Sequence, residues 1–220
     1  MADRDWWEWH KPYDNPGSPL SYRLTSVTSH LRVALDQSEV GPIRIISMCA
    51  GQGRDVISVV ADHPRGDDVR ARLVELDPRN VDYARRTAAA VPGAVIDVRQ
   101  ADAGTTDVYV GAVPAQVVLA CGVFGNITDD DIHRTVLSLP ALCARDATVI
   151  WTRHRRPPDL TPTIREWFRG AGFEEVSFDA PGSTFFGVGA HRFVGEPRRL
   201  EAGKRMFTFV GFDQLLAKDG

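Results

Sequence analysis

The stretch Ile43-Arg44-Ile45-Ile46-Ser47-Met48-Cys49-Ala50-Gly51-Gln52-Gly53-Arg54-Asp55-Val56 limits what this chain can become more than any other. It opens as a short apolar run rich in β-branched residues, the pattern of a buried strand. Gly51 and Gly53 interrupt it, and Val56, Val59 and Val60 follow in a helical pattern. A strand, a glycine turn and a helix open a ligand site in an open α/β sheet. Glycine there permits positive φ and removes the Cβ that would hold a ligand off the backbone. A lone G-x-G also serves tight turns that bind nothing, so the decision falls to the rest of the chain.

The rest alternates. Ser18-Pro19 starts a helix, with serine as N-cap and proline first, and Leu20, Leu24, Val27, Leu31 and Leu35 recur on one face. Strands are predicted over 70–76, 94–99, 115–120 and 147–152. Helices are predicted from Arg54, Pro78, Thr128 and Thr161, the second of them with a buried stripe running to Val91. Two more strands, 173–178 and 185–193, are joined by a Pro181-Gly182 loop with no helix between them. This order predicts an α/β fold, a Rossmann-like, seven-stranded, mostly parallel sheet with an antiparallel last strand and helices on both faces.

With 220 residues the chain reads as a single domain, 1–220. Within it, 1–40 form an N-terminal arm and lid helix, 43–193 the ligand-binding core, and 194–220 a C-terminal extension. Trp6, Trp7, Trp9 and Tyr13 make the arm too aromatic for a disordered tail. Such an arm either packs on the surface or forms a lid that walls a site. Met206, Phe207 and Phe209 stand out in the extension, but no periodicity places them.

A formal net charge of −3 gives no pull toward nucleic acid or an anionic membrane. Cys49, Cys121 and Cys143 are odd in number and lack zinc-site spacing, which argues for a reducing compartment and no metal centre. The charged N-terminus has no apolar leader core, and no run is long enough to span a bilayer. A cytoplasmic location is expected.

In an open α/β sheet, ligands sit beyond the carboxyl ends of the strands. The first such end carries Gly51 and Gly53. The second carries Glu75, a carboxylate able to accept from both hydroxyls of a ribose. The third carries Asp102, able to accept from an exocyclic amine, and the fourth Cys121 and Gly122. Each alone could be an ordinary solvated strand end; together they describe an adenosine site. Charge narrows the cofactor. The dinucleotide pattern G-x-G-x-x-G would put its third glycine at 56, where this chain has Val56. It also seats a pyrophosphate on a helix N-terminus, where this chain has Asp55. A carboxylate there repels phosphates but tolerates a phosphate-free cofactor with a positive centre, and S-adenosylmethionine is one.

From about Ile43 to Phe193 the chain resembles the class I S-adenosylmethionine-dependent methyltransferases, and in type the stand-alone actinobacterial enzymes that modify small molecules. The carriers are Ala50-Gly51-Gln52-Gly53-Arg54-Asp55, Leu73-Val74-Glu75-Leu76-Asp77-Pro78, Gln100-Ala101-Asp102-Ala103 and Gln116-Val117-Val118-Leu119-Ala120-Cys121. The resemblance implies a cofactor site of Ala50, Gly51, Gly53, Asp55, Glu75, Leu76, Asp102, Ala103 and Cys121. By it Gly51 and Gly53 face the cofactor, Glu75 holds the ribose, Asp102 with Ala103 contacts the adenine, and S-adenosylhomocysteine is the product. The family usually has an acid and a further glycine where this chain has Ser47 and Cys49. The methionine end must then be held otherwise, with Arg23 and Tyr13 as candidates.

Alignment of the acceptor supplies much of the rate of such a transfer, and only a hydroxyl acceptor needs a base. His154, after the fifth strand, is the candidate base or else a surface histidine among arginines; His30 and His191 are weaker ones. A small-molecule acceptor methylated at oxygen or nitrogen is expected, without nucleic acid or membrane; a homodimer is admitted. Cys121-Gly122-Val123-Phe124 lacks the Asn/Asp-Pro-Pro-aromatic pattern of DNA amino-methylating enzymes, and no carboxylates there suit a metal-dependent catechol enzyme. An NAD-dependent oxidoreductase and a non-catalytic cofactor-binding regulator are the alternatives.

Overall fold

β1 (Ile43–Met48) lies at the centre of the sheet in the computed structural model, which describes residues 5–182 and 185–216. The parts of the arm, hairpin loop and extension at 1–4, 183–184 and 217–220 lie outside the described residues. β2 (Val69–Glu75) and β3 (Val95–Gln100) flank β1 on one side, β4 (Ala115–Ala120) and β5 (Cys143–His154) on the other, all parallel. β7 (Phe186–Phe193) runs antiparallel to β5, and β6 (Phe173–Asp179) antiparallel to β7. The order is β3-β2-β1-β4-β5-β7-β6, with its direction of growth reversing between β1 and β4.

The apolar strands are covered on both faces, which is why they read as runs rather than alternations. α1 (Pro19–Gln37), α2 (Arg54–Asp62) and α3 (Pro78–Ala88) place Leu31, Leu35, Val56, Val59 and Val81 against Ile45, Leu73 and Leu119. On the opposite face, α4 (Asp129–Ser138) and α5 (Thr161–Gly170) place Ile132, Val136, Ile164 and Phe168 against Met48, Val118 and Trp151. Ser18, Asp77 and Thr128 cap their helices through the backbone N–H groups of Ser21, Arg79 and Asp131.

Two elements differ from expectation by more than one residue. α3 stops at Ala88, and the chain to Val91 continues as turns, Val91 N–H donating to Ala88 O at 3.0 Å. β5 is longer than 147–152 at both ends: Cys143 pairs with Ala115 of β4, and β7 pairs as far as His154 opposite Phe186. The extension is not a free tail. Thr106 N–H donates to Lys204 O at 3.0 Å and Met206 N–H to Gly104 O at 2.8 Å, laying 204–206 along the β3–β4 connection. A short helix, α6 (Phe212–Leu216), follows. No helix among the described residues is long and apolar enough to cross a membrane.

Candidate functional site

At the reversal between β1 and β4, the strand ends open on a cavity of about 480 Å³. The turn after β1 is left-handed at Cys49 (φ +48°), Gly51 (φ +56°) and Gly53 (φ +66°), and Gly53 N–H closes it on Ala50 O at 2.9 Å. The two glycines serve different neighbours. A Cβ on Gly53 would fall 2.7 Å from Leu73 Cδ2 and 2.8 Å from Ile57 Cδ1. Gly53 is therefore required by packing beneath the turn, and it does not line the cavity as expected. A Cβ on Gly51 would fall 2.2 Å from Nε2 of His10, a residue of the arm.

Glu75, at the end of β2, is buried, and both its oxygens are held: Gly51 N–H donates to Oε2 and Asp77 N–H to Oε1, each at 2.8 Å. Burial raises its pKa, and the backbone donors work in the opposite direction. A carboxylate oxygen has two lone pairs, so each retains one after these bonds. Asp55 lines the same cavity; its Oδ1 accepts from Val56 N–H at 2.8 Å, and burial raises its pKa while that bond and Arg23 lower it. Arg23 reaches in from α1, donates to Tyr13 Oη, and lies 5.3 Å from the Trp9 ring centre. Ala50, Leu76, Ala103 and Cys121 also line the wall, and burial pushes the Cys121 thiol far up.

Asp102 lines the cavity too, with its oxygens engaged: Gly104 N–H donates to Oδ1 at 2.8 Å and Arg205 to Oδ2 at 2.5 Å. His154 is not among the lining residues. The lengthened β5 makes it a strand residue, and Phe212 from the extension sits edge-on to it with ring centres 4.9 Å apart. Its Nδ1 is buried with no partner among the described residues. Burial, with Arg153 and Arg156 alongside, pulls its pKa down to about 4. The reach toward an acceptor expected of it is absent in this arrangement.

Several lining residues were not named as site residues from the sequence. Trp6, Trp9 and His10 from the arm meet Phe207 and Phe209 from the extension, Trp6 lying edge-on to Phe209 at 5.2 Å. The buried His10 ring pairs through Nδ1 with Trp6 O at 2.6 Å. A carbonyl can only accept, so Nδ1 carries the proton and Nε2 keeps its lone pair. Burial lowers the His10 pKa, which keeps it neutral. Asn80, third residue of α3, lines the floor and is fully buried. The aromatic density of the arm was the only hint; nothing distinguished Asn80.

This is the fold of the class I S-adenosylmethionine-dependent methyltransferases. The magnesium protoporphyrin IX methyltransferase of Synechocystis PCC 6803, solved with bound S-adenosylmethionine, superposes with a TM-score of 0.63 at 12 % identity over 84 % of this chain and 89 % of that one. An O-methyltransferase family protein from Burkholderia thailandensis gives 0.63 at 17 % identity over 80 % of this chain, which spans 57 % of that one. The 1,6-didemethyltoxoflavin-N1-methyltransferase of the same organism, with S-adenosylhomocysteine bound, gives 0.60 at 14 % identity over 86 % and 84 %. No family model and no curated protein matches the sequence.

Proposed function

We propose that this chain is an S-adenosylmethionine-dependent methyltransferase acting on oxygen or nitrogen of a small molecule. The observation that carries this reading is Glu75, a buried carboxylate fixed by two backbone N–H groups with a lone pair left on each oxygen. Such a group suits a cis-diol. The remaining lining groups suit the rest of the cofactor. Asp102 and Ala103 border the adenine end, and Asp55 with Arg23 offers opposite charges to an amino-acid end in place of the missing acid at Ser47. When bound, S-adenosylmethionine supplies a methyl group on a positively charged sulfur.

The chain's own part is alignment and exclusion of water. Trp6, Trp9 and Tyr13 roof the cavity, and closing such a site strengthens every polar contact within it. For a hydroxyl acceptor, His10 rather than His154 presents a neutral ring with a free lone pair to the cavity. A cavity of about 480 Å³ roofed by the arm and the extension is of small-molecule size, and a formal net charge of −3 gives no pull toward nucleic acid as acceptor. Calorimetric titration with S-adenosylmethionine, S-adenosylhomocysteine and NAD tests the reading. Saturable binding of the first two supports it; binding of NAD alone, or of none, overturns it.

A further inference from the structure

Asn80 is a polar residue with no structural use for its side chain. It is fully buried, it lines the cavity, and neither Oδ1 nor Nδ2 has a hydrogen-bond partner among the described residues. Helix capping does not explain it. The third helical position can bond back to the N-cap N–H, but here Glu75 Oε1 has taken that N–H from Asp77. Helix propensity does not explain it either, since asparagine is a poor interior residue. A buried amide left unpaired destabilises a fold, so a chain that keeps one in a ligand cavity gains by it elsewhere.

The chemistry beside it indicates where. Glu75 lies five residues before Asn80, at the other end of the β2–α3 connection, and lines the same cavity. An ionised carboxylate is an acceptor only, whereas a sugar hydroxyl both donates and accepts. A hydroxyl that gives its proton to Glu75 still has lone pairs, and a buried hydroxyl oxygen needs a donor. The carboxamide –NH₂ is that donor. We propose that Asn80 is a second anchor for the cofactor ribose, donating to a hydroxyl whose proton goes to Glu75. This rests on the cofactor reading above.

Calorimetry on the full chain tests it, using S-adenosylhomocysteine and its 2′-deoxy and 3′-deoxy forms against wild type, Asn80→Ala and Asn80→Leu. Both variants should bind S-adenosylhomocysteine about tenfold more weakly, one net hydrogen bond. Against the deoxy form that lacks the bonded hydroxyl, they should lose nothing further. Ligand-free Asn80→Leu, which fills the space without a polar group, should melt at or above wild type. Unchanged affinity, or an equal loss against both deoxy forms, overturns the assignment. So does a lower melting temperature with undiminished affinity, which would make the amide structural. Wild type that binds no S-adenosylhomocysteine removes the cofactor reading as well, whereas wild-type binding with unchanged variants removes Asn80 alone.

Discussion

The cavity has two halves built on different principles. Its floor, the ends of β1 and β2 with the first turns of α2 and α3, grows directly out of the core. Gly53 rests on Leu73 and Ile57, and Glu75 is fixed by backbone N–H groups on two different turns. Its roof is assembled from the two chain ends. Trp6, Trp9 and His10 come from the arm, held by ring contacts and exposed ion pairs such as Arg79 with Asp5. Phe207 and Phe209 come from the extension, where Phe207 is fully buried and the backbone is hydrogen-bonded. A floor continuous with the core shares its stability, while an arm held by ring contacts and exposed ion pairs should open at lower cost.

Two glycines separated by one residue test that contrast most sharply. Gly53→Ala puts a Cβ into the core at left-handed φ and should cost about 3 kcal/mol in urea unfolding. Gly51→Ala meets the His10 ring first, and its left-handed backbone should cost about 1–2 kcal/mol. That second variant should instead release the arm, read as faster proteolysis ahead of residue 18. Equal unfolding costs with the arm still protected would mean that floor and roof are one unit.

Ligand affinity sharpens the comparison next. Glu75→Ala removes the carboxylate that accepts from Gly51 and Asp77 N–H in the floor and should weaken S-adenosylhomocysteine by about 2 kcal/mol, some thirtyfold in Kd. Calorimetry with undiminished affinity would remove Glu75 from the ribose and take the proposed function with it.

Acid should open the roof. Burial depresses the folded pKa of His10 below its ordinary 6.5, so the docked arm is favoured by the neutral ring. That contribution is fully present above pH 6.5 and is lost as the pH falls through the folded value. His191, in the core, is lowered to about 4 by burial, so its folded ring stays neutral through mild acid and belongs to the sheet rather than to the arm. Acrylamide quenching of the arm tryptophans should rise between pH 7.5 and 5.5 in wild type and stay flat in His10→Gln. Parallel behaviour of the two proteins would show that the ring charge does not govern docking.

The same division explains what could be read from the sequence. The floor was legible because its signals are local. The strand runs, the caps Ser18, Asp77 and Thr128, and Glu75 at a strand end each follow from neighbours within a few positions. Even there, Gly53 was misread, because a sequence shows a glycine without showing which side its absent Cβ would face. The roof was legible only in part: the aromatic arm, with Tyr13 and Arg23, was named as a possible wall of the site, but its partners are distant in sequence. Arg205 meets Asp102 across 103 positions, and His154 was misplaced because its last strand pairing depends on Phe186. Asn80 was invisible for another reason. Its interest lies in having no hydrogen-bond partner among the described residues, and only burial in a cavity reveals that.

The smallest effect concerns what holds the extension in the roof. Arg205 and Asp102 are each about half exposed (48 % and 46 % of the side chain), and exposed pairs contribute little. The backbone bonds are the stronger candidates: Met206 N–H to Gly104 O at 2.8 Å, and Val210 and Gly211 N–H to Asn126 O, both at 2.9 Å. Arg205→Gln should therefore change stability by less than about 1 kcal/mol and leave the extension protected from protease. It should also free Asp102 Oδ2 for an amine, so affinity for S-adenosylhomocysteine should hold or rise slightly. Release of the extension on this single change would show that charge rather than backbone pairing closes the roof from that side. The extension would then answer to salt, and the arm to pH.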